Sequence, residues 1–236
     1  MIFRQLFEPG SSTYTYLVAC DETREAALID PVLEAVDRDL ALIDELGLTL
    51  KYTVETHIHA DHVTGAARLR ERTGCKAAVP EKSAADHVDL PVREGEPISV
   101  GTLRLEPFCT PGHTDDHHVY LLRNDAHGWR VFTGDALMID GCGRTDFQNG
   151  DAATLYRSVH DKIFSLPDET LVYPGHDYQQ RQVSSVGQER ARNPRLGGGK
   201  TMDEFVAIMT ALNLPRPKKM DVAVPANLEC GEVQSA

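Results

Sequence analysis

The chain has 236 residues, 41% of them hydrophobic and 25% charged, with a formal net charge of -12. That length can bury a proper core, and the acidity argues against nucleic acid or an anionic membrane as a partner. No apolar run approaches the roughly 20 residues that span a bilayer, and "MIFRQLFEPG" lacks the apolar stretch of a secretory signal.

Residues 1 to 30 read as early strands: "STYTYLVAC" is β-branched and aromatic, "DETRE" turns, and "AALID" follows. From Pro31, "PVLEAVDRDLALIDELG" sets Leu33, Val36, Leu40, Ile43 and Leu46 on one helical face, with Gly47 as its stop. "LKYTVET" predicts a strand and "HVTGAARLRERTG" a second helix ending at Gly74. A β-rich middle follows in "KAAVP", "PISV", "TLRLEPFCT", "HHVYLLR" and "WRVFTGD". "GDAATLYRSVHDKIFSLP" predicts a helix capped by Asp151 and closed before Pro167, and "ETLVYPGH" another strand. Two helices are expected after that, the second opened by Thr201 and Glu204 in capping-box spacing. Strands and helices interleave without a Pro/Gly/Ser linker, so one layered α/β domain is expected over residues 1–236, with a helical tail from about 179.

The five cysteines (Cys20, Cys75, Cys109, Cys142, Cys230) are odd in number and form no C-x-x-C pair. That points to a reducing compartment, and a cytoplasmic protein is expected. Between Arg181 and Lys219 eight basic residues face three acidic ones, which suits either a small anionic ligand or a solvated helix face.

Four segments run an apolar strand into a loop that begins with a metal-type ligand: "YTVETHIHADH", "EPFCTPGH", "RVFTGD" and "LVYPGH". They deliver His57, His59, Asp61, His62, His113, Asp135 and His176. Imidazole and carboxylate at such loops suit zinc, iron or manganese, and the lack of thiolates argues against a closed structural zinc. A single loop histidine is more often a hydrogen-bonding residue than a ligand, and His87, His127 and His160 belong in that class. His117 and His118 open a strand, and His117 is near enough to His113 in sequence to reach the same place. Four coincident strand-end deliveries predict a metal site.

"HIHADH" followed by "GH", "GD" and "GH" resembles the metallo-β-lactamase superfamily, which implies an αββα sandwich with short C-terminal helices. "STYTYL", "ALIDPV", "THIHADHVTG", "FTGDAL", "GCGRTDFQ", "LVYPGHDY", "NPRL" and "LNLPRPKKMDVAVPANLECG" together resemble the persulfide dioxygenases of that superfamily, from residue 3 to about residue 231. The resemblance implies an enzyme with one ferrous ion, Fe(II), per chain, held by His57, His113 and Asp135. It would oxidise glutathione persulfide with dioxygen and water to sulfite and glutathione. His59, Asp61, His62, His176 and Asp177 are retained in that family without binding the iron, so they are expected to orient and tune the ligands. Arg144, Tyr178 and Arg195 are the expected substrate contacts, with Asp146 pairing Arg144 to fix its loop; a structural role for Arg144 and for Arg195 stands beside that reading. Cys142 and Cys230 read as packing residues. A homodimer is a family-level expectation. "HTDDHHVY", with Asp115 and Asp116, and "GGGK" depart from the family pattern.

The alternative is a glyoxalase-II-like thiolester hydrolase, whose two-metal centre would activate water against an acyl-glutathione; the full two-metal residue set is present. A metal-stabilised binding module without activity is the third reading. "GCGRTDFQ" and the C-terminal stretch favour the oxygenase.

Overall fold

The computed structural model describes residues 1–124 and 126–232. In chain order it contains β1 (Ile2–Glu8), β2 (Thr13–Ala19), β3 (Glu25–Ile29), α1 (Val36–Glu45), β4 (Thr49–Val54), α2 (Ala66–Thr73), β5 (Lys76–Pro80), β6 (Leu90–Val92) and β7 (Ile98–Val100). There follow β8 (Leu103–Cys109), β9 (His118–Leu122), β10 (Arg130–Gly134), α3 (Ala152–Ser158), β11 (Leu171–Pro174), β12 (Ser184–Ser185), α4 (Val186–Arg192), α5 (Met202–Thr210) and α6 (Met220–Leu228). The chain divides into two compact units, the first made of Met1–Val92, Pro97–Arg104 and the segment from Arg216 onward, the second of Arg93–Glu96 and Leu105–Pro215.

The first unit carries a mixed sheet in the order β1-β2-β3-β4-β5-β6. Its first three strands are antiparallel, while β3 to β6 pair in parallel through the crossovers that hold α1 and α2. β2 and β3 read as near-continuous apolar runs because both faces are covered. Leu17, Leu28, Leu50, Leu40, Ile43 and Leu69 form a core cluster. Leu40 and Ile43 supply the α1 face expected from the spacing, and each fully buried side chain of this type contributes about 1.5–3 kcal/mol.

The second unit holds the order β12-β11-β10-β9-β8. Its core gathers Val119, Leu121, Val131, Leu155, Ile163 and Phe205, so α3 and α5 pack on the strands they follow. Asp151 caps α3 as expected, accepting the Thr154 N–H at 2.7 Å, and the Thr201/Glu204 capping box opens α5.

Three expectations need correction. The second helix begins at Ala66 rather than near His62, because the Thr64 N–H is taken by the Asn227 side chain at 2.8 Å and the Val63 carbonyl by the Leu33 N–H at 2.9 Å. The third passes into a π turn over Val159–Ile163 after Ser158. Among the described residues three helices, not two, lie beyond residue 179: α6 carries Pro225 in its interior, which hides a helix from any reading of breakers.

Candidate metal centre

In the first unit β4 ends at Val54 and the motif residues lie in the irregular stretch before α2. His57, His59 and His62 are buried to within 2% exposure, with the His57 and His59 ring centroids 4.1 Å apart and those of His59 and His62 4.3 Å apart. Three imidazoles at such spacing are costly to bury without partners. Ligand atoms of His59, Asp61 and His62 lie within 4.8 Å of one another, as do those of Asp30, Glu55 and His59.

Hydrogen bonds decide which nitrogen each imidazole can offer. The Thr56 hydroxyl donates to Asp30 Oδ2 at 2.9 Å, so toward His57 Nδ1, also 2.9 Å away, it accepts. Nδ1 of His57 therefore carries the proton and Nε2 keeps a lone pair. His62 Nδ1 donates to Asp61 Oδ2 at 2.9 Å, and its buried Nε2 has no partner. His59 is tied the other way round: Nε2 faces Asp30 Oδ1 at 3.2 Å and Glu55 Oε2 at 3.5 Å, and the buried Nδ1 is unpartnered. Burial alone would lower the His59 pKa, but the Asp30 carboxylate, with help from Glu55 and Asp61, raises it well above its ordinary value. Asp30 is itself held by the Thr56 N–H at 2.7 Å, and Glu55 by the Thr64 hydroxyl at 2.6 Å.

In the second unit the loops after β8, β10 and β11 deliver His113, Asp135 and His176. His113 Nδ1 donates to the Arg144 carbonyl at 2.7 Å, which leaves Nε2 free of a proton and 3.5 Å from Asp135 Oδ2. His176 Nδ1 lies 2.7 Å from Asp135 Oδ1. Two glycines make these approaches feasible. A Cβ on Gly143 would lie 2.6 Å from His113 Nδ1, and one on Gly175 2.9 Å from Asp135 Oδ1. His117 is a buried support that spacing only hinted at: its Nε2 accepts the Asp135 N–H at 3.1 Å, so its Nδ1–H points to the Thr110 hydroxyl at 2.9 Å.

The expected substrate contacts are already engaged within the second unit. Arg144 donates to Asp146 at 2.6 and 2.7 Å and to the carbonyls of Pro215 and Leu214 at 2.7 and 3.3 Å, and lies over the Phe147 ring. The hydrogen bonds from Arg144 hold the Asp146 carboxyl below its ordinary pKa. Arg195 donates to the Cys142 carbonyl at 2.8 Å. Tyr178 is 76% exposed and its ring stacks at 6.3 Å on His176. Asp177 is bound by Arg181, which also reaches Asp140 and the Ile139 carbonyl. Burial would raise the Asp177 carboxyl, but the Arg181 contacts hold it below its usual range. Cys142 and Cys230 sit in apolar clusters, where burial pushes their thiols up to about 11 and about 12.

The donor set fits a divalent transition ion. It offers imidazole nitrogen and carboxylate oxygen without a thiolate, and the buried His59 Nδ1 and His62 Nε2 beside it have no protein partner. Sequence reasoning missed Asp30, Glu55, Thr56 and Asn227, which fix these rings. "ALIDPV" and "PANLECG" contained two of them, without any indication of what they would touch.

A family model described as the metallo-beta-lactamase superfamily matches residues 9–176. The mitochondrial persulfide dioxygenase ETHE1 of Mus musculus is 51% identical over 232 residues, covering 98% of this chain and 89% of that protein. A hydroxyacylglutathione hydrolase of Polaromonas sp. (strain JS666) is 39% identical over 173 residues, covering 72% of this chain and 64% of that protein. The crystal structure of ETHE1 from Myxococcus xanthus superposes with a TM-score of 0.94 at 54% identity, covering 98% of this chain and 100% of that chain.

Proposed function

The chain belongs to the metallo-β-lactamase superfamily and, within it, to the persulfide dioxygenases, and from that premise we propose that it oxidises glutathione persulfide with dioxygen and water to sulfite and glutathione. One observation carries the reading. The superfamily model stops at residue 176, whereas likeness to a persulfide dioxygenase extends over 98% of the chain and so takes in the C-terminal stretch as well. Hydrolase likeness is weaker in identity: 39% over 72% of the chain for the hydroxyacylglutathione hydrolase, and 30% over 99% of it for a probable metallo-hydrolase of Burkholderia pseudomallei.

The fold and the histidine–aspartate groups call for a metal cofactor. In our reading it is one Fe(II) per chain, with His57, His113 and Asp135 as its ligands. Iron would supply a path for electrons between a persulfide sulfur and dioxygen, whose direct reaction is spin-forbidden; zinc, which has no redox chemistry, would not.

The protein's part is to present and hold the donors. Thr56 and the Arg144 carbonyl keep the Nδ1 protons of His57 and His113, so each ring presents Nε2 as a base. His117 anchors the Asp135 backbone and His176 its Oδ1, which leaves Oδ2 to face His113. His59, Asp61, His62 and Asp177 orient and tune this set. Arg144, Tyr178 and Arg195 meet the substrate in this proposal; their present bonds make Arg144 and Arg195 rigid cations rather than mobile ones.

We take residues 1–236 as one functional domain with a helical tail from about 179, a reading supported by a family model that runs through parts of both units over residues 9–176, and we take a homodimer from the family resemblance alone. The free cysteines support a reducing compartment, which we take to be the cytoplasm. Metal analysis beside an oxygen electrode tests the proposal. We expect one iron per chain, dioxygen uptake on adding glutathione persulfide, and sulfite in proportion. Two zinc ions per chain, hydrolysis of lactoyl-glutathione and no oxygen uptake would replace it with the hydrolase.

A further inference from the structure

We infer that Asn227, on α6, is a positioning residue for the metal-ligand loop, holding the backbone of His59 and His62 from the far end of the chain. Its side chain is 3% exposed. Oδ1 accepts the Thr64 N–H at 2.8 Å, and Nδ2 donates to the His59 carbonyl and to the His62 carbonyl, both at 2.9 Å. The amide's orientation follows from chemistry. The Thr64 N–H can only donate and the two carbonyls can only accept, so a flipped amide would set like against like at all three contacts.

The site held in this way has no regular structure of its own. His59 and His62 lie between the end of β4 at Val54 and the start of α2 at Ala66, so neither carbonyl belongs to a strand ladder or a helix. A carbonyl buried there without a donor is costly, and one amide satisfies both. The following residues continue the contact. The Ala67 N–H donates to the Cys230 carbonyl at 3.1 Å, and Gly231, at φ +84, lies so close that a Cβ would fall 2.5 Å from the Thr64 carbonyl oxygen. "PANLECG" is thereby absorbed: Asn227 supplies the clamp and Gly231 the room for it. The imidazoles of His59 and His62 leave the chain at the clamped carbonyls, so their placement, and that of His57 two residues before, depends on an amide more than 160 positions away.

The inference rests on reading this loop as metal-ligating, and the test separates the two. Metal-free protein is dialysed against Fe(II) without oxygen, and separately against Co(II), whose visible spectrum reports ligand geometry. If the unmodified full-length chain takes up neither ion, the metal reading itself fails. Given uptake, Asn227→Asp is the probe. It keeps the shape and the acceptor for Thr64, and sets a carboxylate oxygen against two carbonyls. We expect metal affinity to fall by roughly tenfold to a hundredfold, with a changed Co(II) spectrum and the circular dichroism of the unmodified chain. Turnover should fall while KM for the persulfide holds. Leu40→Ala, in the core away from the loop, separates positioning from plain stability: it should lower Tm and leave metal affinity unchanged. Should Asn227→Asp fail to fold, Gly231→Ala pushes the same segment off Thr64 without altering the amide, and the same loss of metal is expected. Unchanged metal affinity in Asn227→Asp, or in Gly231→Ala where that variant is needed, overturns the inference. So does an equal loss of metal in Leu40→Ala at a matched fall in Tm.

Discussion

Each imidazole of the candidate centre is tied at one nitrogen, and which nitrogen that is depends on the group beside it. His57, His113 and His62 are tied at Nδ1, by Thr56, the Arg144 carbonyl and Asp61, whereas His59 is tied at Nε2 by Asp30. Asp135 meets His176 with Oδ1 and faces His113 with its second oxygen. Asp135→Ala should therefore lose metal and dioxygen uptake while the circular dichroism stays that of the parent; metal retained at one ion per chain would remove Asp135 from the ligand set. Arg144 makes a different prediction. Its fork closes the Asp146 loop onto the carbonyls of Leu214 and Pro215. Arg144→Ala should destabilise the chain by about 1.5–3 kcal/mol, the range for hydrogen bonds to charged groups, and Arg144→Lys should recover little because a point charge cannot form the fork. An unchanged Tm in both variants would discard the structural share of its role.

Among the elements, the strands announced themselves and some helix limits did not. β4, β8, β10 and β11 each end where a candidate ligand loop begins, as the apolar runs implied. α2 starts late because tertiary partners claim the backbone of residues 63 and 64, and α6 hides behind Pro225. The loop after β10 returns to its own start: the Gly143 N–H donates to the Asp135 carbonyl at 2.7 Å, with His113 pressed against the glycine. Gly143→Ala should force these apart and reduce metal content more than it reduces Tm; full metal content would show that the loop can yield. α5 offers a stability test with no bearing on the site. Thr201→Ala removes its capping box and should cost about 1 kcal/mol, read as a lower Tm with unchanged turnover.

For the molecule as a whole, four of the eight basic residues between Arg181 and Lys219 meet carboxylates. Arg181 pairs with Asp177 and Asp140, Arg190 with Asp168, Arg216 with Asp221 and Lys219 with Glu34. Among the described residues no helix is long and apolar enough to cross a membrane. Stability should depend on pH through the buried histidines. Burial lowers the pKa of His118 and His160 from 6.5, so the unfolded chain takes up their protons first. Their contribution is intact above that unfolded value and is lost as pH falls through the lower folded value. His59, raised in the metal-free fold, has the opposite sign: its contribution is present below 6.5 and lost as pH rises through the folded value. His118→Asn, whose amide nitrogen can take the place of Nδ1 as donor to the Asp116 carbonyl, should flatten the fall in Tm as pH drops below 6.5. An identical slope would show that His118 does not carry it. The sequence by itself determined the strand-to-loop deliveries, the α1 face, the caps of α3 and α5 and the identity of the ligand-type residues, because periodicity, capping and strand ends are local properties. Only the tertiary structure decided which nitrogen each histidine offers, that Asn227 secures the ligand loop, and that Arg144 and Arg195 are already bonded. Those outcomes depend on directional hydrogen bonds between residues distant in sequence, and no local pattern encodes the partner of a buried polar atom.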